Sequence, residues 1–409
     1  MTLRLDTVLR LENPIQHYAW GSRSAIAELC NRPVPSPEPE AELWMGAHPK
    51  APSRVTGNGE AVPLDAVIAG DPDAVLGPRV ARRFGGRLPF LFKVLAAAEP
   101  LSIQAHPDRD QARRGFEREN RAGIPLDAGH RNYRDANHKP EIICALTDFW
   151  GLNGFRAMDD LRRQLKRFCP DAAGALLSGG ASAAPGQDLE RLFDRLLGME
   201  GREKDTIIDE AVGQAQGYSA ADPIGRWIVA LQEAYPGDIG VLAPIVLNLV
   251  HLKPGQAMYL PARQLHAYLK GVGIELMANS DNVLRGGLTA KHVDVEELMR
   301  VLNFDPHGLE ILTPKDRLAC EKIYPTSAEE FSLGIIQVDS HCTYATDQII
   351  GPEILLCVRG EGEIRWDDAA ASMRISQGDT FLIPAAVSRY AISGAAEIYR
   401  AAVGDLLPA

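Results

Sequence analysis

The sequence predicts a mainly β fold with a helical insertion: two antiparallel jelly-roll barrels plus an α-helical domain. Three observations carry that expectation. Short apolar runs alternate with turn residues before residue 156 and again after 246. Between them, apolar residues recur at three- and four-residue spacing. One pattern also occurs twice: Gly, five residues, Pro, four residues, then a polar residue. Its copies are "GQAMYLPARQLH" (Gly255 to His266) and "GDTFLIPAAVSR" (Gly378 to Arg389).

The elements follow in order. "NRPVPSPEPEAE" is too rich in proline for a central strand and is read as a loop. "RVTGNGEAVPL" sets Asn-Gly between short apolar pieces, a hairpin signal. "LPFLFKVLAA" is a buried strand interrupted by Lys93, a charge that needs a partner or a pocket. "SIQAHPD" follows it, and strand alternation sends Ser102, Gln104 and His106 to one face. "AMDDLRRQLKRF", "DLERLFDRLLGM", "KDTIIDEAVGQA" and "PIGRWIVALQEAY" read as amphipathic helices, with "SGGASAAPGQ" as a flexible linker among them. Strands return in "NLVHLKPGQAMYLP" and "HAYLKGVGIELMA". "DVEELMRVL" is a short helix with Asp294 as N-cap and Glu297 at its third position.

A chain of 409 residues is too long for one ordinary core, and the expected division is fourfold. Residues 1–156 and 246–317 make a catalytic barrel, 157–245 a helical insertion, and 318–409 a second barrel. The repeat gives the physical sense of this division: a Gly turn, a strand, a proline corner, then a strand that points one side chain inward. That is half of the cupin pattern, so the two barrels are read as cupin-type. The first copy ends in His266 and the second in Arg389, so the second barrel lacks the imidazole.

Gln104, His106, Glu141 of "NHKPEIICAL" and His266 then form a set of two nitrogen and two oxygen donors without sulfur, which suits Zn²⁺ with an open position. Arg285 and Lys291, on either side of "GGLTA", and Lys93 and Lys139 suit a phosphate and a developing oxyanion. The net charge of −11 argues against nucleic acid and acidic membranes as partners, and no apolar window reaches the length of a membrane span. The N-terminal stretch has no apolar signal region, so the expected compartment is cytoplasmic. The six cysteines (30, 144, 169, 320, 342, 357) are scattered and read as reduced thiols. With no large unexplained apolar stripe, a monomer is expected.

The stretches "NPIQHYAWG", "AELWMGAHPKAPS", "LPFLFKVLAA", "SIQAHPD", "YRDANHKPE" and "YLPARQLHAYLKGVGIELMANSDNVLRGGLTAKHVD" together resemble the type I mannose-6-phosphate isomerases. The resemblance spans residues 13 to 294. It implies reversible aldose–ketose isomerisation of mannose 6-phosphate and fructose 6-phosphate through a cis-enediol, with one zinc ion per chain. It gives the zinc to Gln104, His106, Glu141 and His266. It makes Arg285 the essential arginine, and puts Ser102, Lys93, Lys139, Glu275 and Lys291 in the pocket. Proton carriers are sought among Lys139, His138, Glu275 and Asp281, while Trp20 and His48 are expected to line the site. Two other readings stand beside this one: a metal-dependent cupin oxygenase, and a sugar-phosphate-binding cupin without turnover.

Overall fold

A computed structural model describes residues 3–404 except 57–59, 179–184, 219–221, 306–307, 347–348 and 368–371. Its strands fall into a ten-stranded and an eleven-stranded sheet, with helices clustered between Met158 and Val246. Among the described residues no helix is long and apolar enough to cross a membrane.

The long strand His266–Ala278 organises the first sheet. Its opening residues pair with Ile103–Ala105 and Phe149–Phe155. From Gly271 onward it pairs with Phe90–Ala97, and from Gly273 also with Glu141–Ala145. The hand-over needs a glycine. Gly271 has φ +130°, and a Cβ there would lie 2.7 Å from the Asp148 carbonyl oxygen.

Alternation then decides which side chains face what. Ile103, Ala105, Leu265, Ala267 and Leu269 look outward and share one core with the helical residues Leu161, Leu165, Ile228 and Leu231. Phe92, Val94, Ile142, Cys144, Ile274 and Leu276 look out on the other side, into a core shared with Leu333, Ile354 and Leu382 of the C-terminal half. Each such buried aliphatic or aromatic side chain contributes about 1.5–3 kcal/mol, so both outer faces lock the register. The intervening positions are Lys93, Gln104, Glu141, His266 and Glu275, and all are turned to the interior. A one-residue slip would bury these polar groups in two apolar interfaces.

The helices match the spacing read in the sequence. They include Met158–Phe168, Pro185–Leu197, Gly201–Tyr218 and Pro223–Ala234. The linker positions 179–184 lie outside the described residues. Val295–Val301 is the short helix, and the Asp294 carboxylate accepts the Glu297 N–H at 3.0 Å. Arg54–Thr56 pairs with Val62–Pro63 as a hairpin, and its Asn-Gly tip lies outside the described residues.

Two expectations are corrected. The sequence places the stretch 1–156 whole in the catalytic barrel, yet Leu9–Glu12 pairs with Thr380–Ile383 on one side and Arg54–Thr56 on the other. These early strands complete the C-terminal sheet; Leu9 and Leu11 face its core. The cysteines were expected to be free thiols, but Cys320 and Cys342 form a disulfide across a Cα–Cα distance of 6.0 Å. Cys30, Cys144, Cys169 and Cys357 are free.

Candidate active site and metal centre

Three donors converge inside the first sheet. Ligand atoms of His106, Glu141 and His266 lie within 4.8 Å of one another. His106 Nε2 is 3.5 Å from one Glu141 oxygen, and His266 Nε2 is 3.3 Å from the other. Each imidazole is oriented from behind. His106 Nδ1 lies 2.7 Å from the Asn282 carbonyl oxygen, and His266 Nδ1 lies 3.0 Å from that of Gln264. A carbonyl only accepts, so both rings carry their proton on Nδ1 and turn the Nε2 lone pair inward. His106 Nε2, Glu141 Oε2 and His266 Nε2 are left buried without a hydrogen-bond partner. Unsatisfied buried polar atoms are costly and rare, and three facing one another fit a divalent cation. Burial, followed by the Lys139 charge, holds His106 down to about 4, so its ring is neutral as a ligand must be. Glu141 is held well below the usual carboxylate range: burial opposes this, but the Lys139 charge leads the effects that prevail over it.

Gln104 sits at the junction. Its cross-strand neighbours are His266 on one side and Arg285 on the other, so all three share one face. Lys139 Nζ lies 2.9 Å from Glu141. Lys93 has the partner its burial requires: Nζ donates to Glu275 at 2.9 Å and lies 3.7 Å from Glu42. Burial would lower the Lys93 value, yet the two carboxylates raise it above the ordinary lysine value. Glu275 moves up, burial outweighing Lys93. Trp20 is half-buried against the interior cluster that includes Phe149, Met258 and Tyr268. Ser102 is half-buried at the start of the Gln104 strand.

The other expected residues stand further out. Asp281 is held by Lys50 at 2.8 Å and His48 at 3.6 Å. Its carboxyl lies well below the usual range: burial opposes this, but the His48 and Lys50 hydrogen bonds prevail. Both His48 and Asp281 line a cavity of about 890 Å³. His138 turns to Glu330, with Nε2 at 2.7 Å, and lines a second cavity of about 1040 Å³. The three donors line neither cavity.

Arg285 and Lys291 approach a third cation, Arg134. Burial first, then mutual repulsion among the three, lowers both Arg285 and Lys291. None of the three side chains has a carboxylate partner among the described residues, in a chain with 54 acidic residues. Asp238 shapes the turn between Arg285 and Lys291 from the helical region, accepting N–H bonds from Leu288 at 2.9 Å and Thr289 at 3.1 Å.

Sequence reading missed Glu42, Arg134, Asp238, Tyr268 and Asn282. Glu42 was findable: it alternates with Trp44, whose indole donates to it at 2.6 Å and whose ring packs 5.4 Å from Lys93 Nζ. Tyr268 was findable too, two residues beyond His266 on the same face; its hydroxyl is buried without a partner. Asn282 joins His106 to the 134–137 segment, accepting the Arg134 N–H and donating to the Asn137 carbonyl. Nothing in the local pattern marks that role.

A barrel enclosing two oriented imidazoles and a carboxylate is that of a cupin whose interior could hold a metal ion. The comparisons with known proteins narrow the class. Residues 8–158 match the phosphomannose isomerase type I catalytic domain, and 321–403 the mannose-6-phosphate isomerase cupin domain. Mannose-6-phosphate isomerase of Salmonella typhimurium is 42% identical over 396 residues, covering 96% of this chain and 98% of that protein. The human counterpart is 36% identical over 386 residues, covering 86% and 88%. A zinc-bound crystal structure of mannose 6-phosphate isomerase superposes with a TM-score of 0.88 at 39% identity, over 97% of this chain and 100% of that one. A variant of the Salmonella typhimurium enzyme gives the same TM-score and identity over the same shares. The chain belongs to the mannose-6-phosphate isomerase family of enzymes.

Proposed function

We propose that this chain interconverts mannose 6-phosphate and fructose 6-phosphate through a cis-enediol, using one zinc ion per chain. The observation that carries the reading is the set of three orphaned inward atoms on His106, Glu141 and His266, one strand away from Arg285. Gln104 would add the fourth donor. Bound there, zinc would supply Lewis-acid polarisation of the sugar carbonyl.

The chain's own residues divide the remaining work. Isomerisation removes the proton at C2 and returns it at C1, leaving negative charge on oxygen in between. Arg285, a cation with no carboxylate partner among the described residues, answers that charge. Lys291 and Arg134 offer the phosphate an ammonium and a guanidinium. Lys139, buried and 2.9 Å from Glu141, is the proton carrier nearest the donor set. Glu275 serves by holding Lys93, and Asp281 by fixing His48 and Lys50 at the rim. The apolar interior lining excludes water from an intermediate that water would quench.

A coupled assay for fructose 6-phosphate, run on metal-free and zinc-reconstituted protein, tests the reading. Turnover should require zinc, and metal analysis of protein purified without chelator should give one zinc per chain; iron in its place would favour an oxygenase. Arg285→Ala should keep its zinc and lose about 10²–10³ in kcat, the usual cost of deleting an oxyanion donor.

A further inference from the structure

The second barrel has no role in the chemistry above, yet one of its residues reaches the catalytic strand. Glu330 lies between the C-terminal strands Glu321–Ile323 and Ser332–Val338. It is 1% exposed. One of its oxygens takes His138 Nε2 at 2.7 Å and Arg109 at 2.6 Å. Arg109 also bridges to the neighbouring Glu329 at 2.6 Å. His138 opens the run His138-Lys139-Pro140-Glu141, which delivers an ammonium and a metal donor to the centre within four residues. The run leads into the strand Glu141–Ala145, whose first residue is already held between Leu260 and Met277, so the freedom left to it lies at His138 and Lys139. On one side Asn282 accepts from and donates to the backbone of residues 134–137. Pro140 gives its carbonyl to the Ala278 N–H at 3.0 Å. On the other side stands Glu330.

We propose that Glu330 is a positioning residue of the isomerase centre: from the second barrel it grips His138 and Arg109, and so fixes where Lys139 enters the first. The inference rests on the isomerase reading. A displacement of about 1 Å in such a group costs up to about a hundredfold in rate, so the link is worth a buried charge between barrels. His138 donates its Nε2 proton to Glu330, which leaves its imidazole anchored to the second barrel.

The test measures kcat, KM for mannose 6-phosphate, zinc content and melting temperature in zinc-loaded wild type, Glu330→Ala, His138→Ala and the double variant. The Cys320→Ser/Cys342→Ser protein serves as a control for general loosening of the second barrel. Glu330→Ala should lose about tenfold to a hundredfold in kcat with KM within about twofold and zinc retained. Glu330→Gln, whose amide oxygen still accepts the imidazole proton, should recover most of that loss. The cysteine control should melt lower and turn over as wild type. Glu330→Ala should add little to His138→Ala, because both cut one link. Wild-type kcat in Glu330→Ala, or fully additive losses, would overturn the proposal. If Glu330→Ala does not fold, His138→Ala cuts the same link from its other end: a loss of about tenfold to a hundredfold in kcat with zinc retained is expected, and wild-type kcat would overturn the proposal. An inactive wild type would instead sink the isomerase reading.

Discussion

The two halves carry the same Gly-Pro half-motif and bury charge, but they treat that charge differently. In the C-terminal half Arg400 is gripped by Glu321 and Glu353, each at 2.7 Å, and Tyr390 donates to Glu353 at 2.6 Å. Arg400, Glu321 and Glu353 satisfy one another. The motif's last residue there, Arg389, is exposed. In the first half His266 is 0% exposed, and its Nε2, like His106 Nε2 and Glu141 Oε2, has no hydrogen-bond partner. Buried charge is thus no sign of function by itself. Closed networks hold a fold together, whereas convergent unpaired atoms await something the chain does not supply.

The contrast can be broken experimentally at either end. The largest expected effect is at the open cluster: His266→Ala should lose zinc and at least about 10³-fold in turnover, measured by metal analysis and coupled assay, with only a modest drop in melting temperature. The reverse should hold for the closed network. Arg400→Ala leaves the buried Glu353 carboxylate without a cation, Glu321 keeping Arg317 at 2.8 Å, and should cost about 3–5 kcal/mol in denaturant unfolding, while the folded fraction turns over normally. A smaller effect sharpens the division within the first half: Lys291→Gln should raise KM for the phosphorylated sugar about tenfold and leave kcat nearly unchanged, as loss of a ground-state phosphate contact should.

The smallest effect is in pH. Burial raises the Glu330 value, but its His138 hydrogen bond and nearby charges outweigh that and hold it below the ordinary 4.5. The folded state therefore binds fewer protons than the unfolded state. The stability this confers is complete above the ordinary value and is lost as pH falls through the lowered one. Melting temperature should fall more steeply below about pH 4.5 in wild type than in Glu330→Gln; equal slopes would show that the carboxylate is not held down.

Much of the first half was legible because its signals are local. The alternation in "SIQAH" and the Gly-Pro corner before His266 each need only a dozen residues to read, and the all-apolar strand around Lys93 announces that this lysine has a purpose. What stayed hidden depends on distant partners. Nothing near Leu9 says that it pairs with Leu382, and nothing near Cys320 points to Cys342. Arg134 and Glu330 sit in irregular segments, where no period assigns a face, so their roles follow from the folded chain alone.

The strand Leu9–Glu12 has a consequence for biosynthesis. It is synthesised long before its hydrogen-bonding partner Thr380–Ile383. Until then the growing polypeptide carries an unmatched sheet edge, a ready target for a neighbouring nascent chain. A premature stop ahead of Thr380 would therefore yield a sticky product rather than a smaller working one.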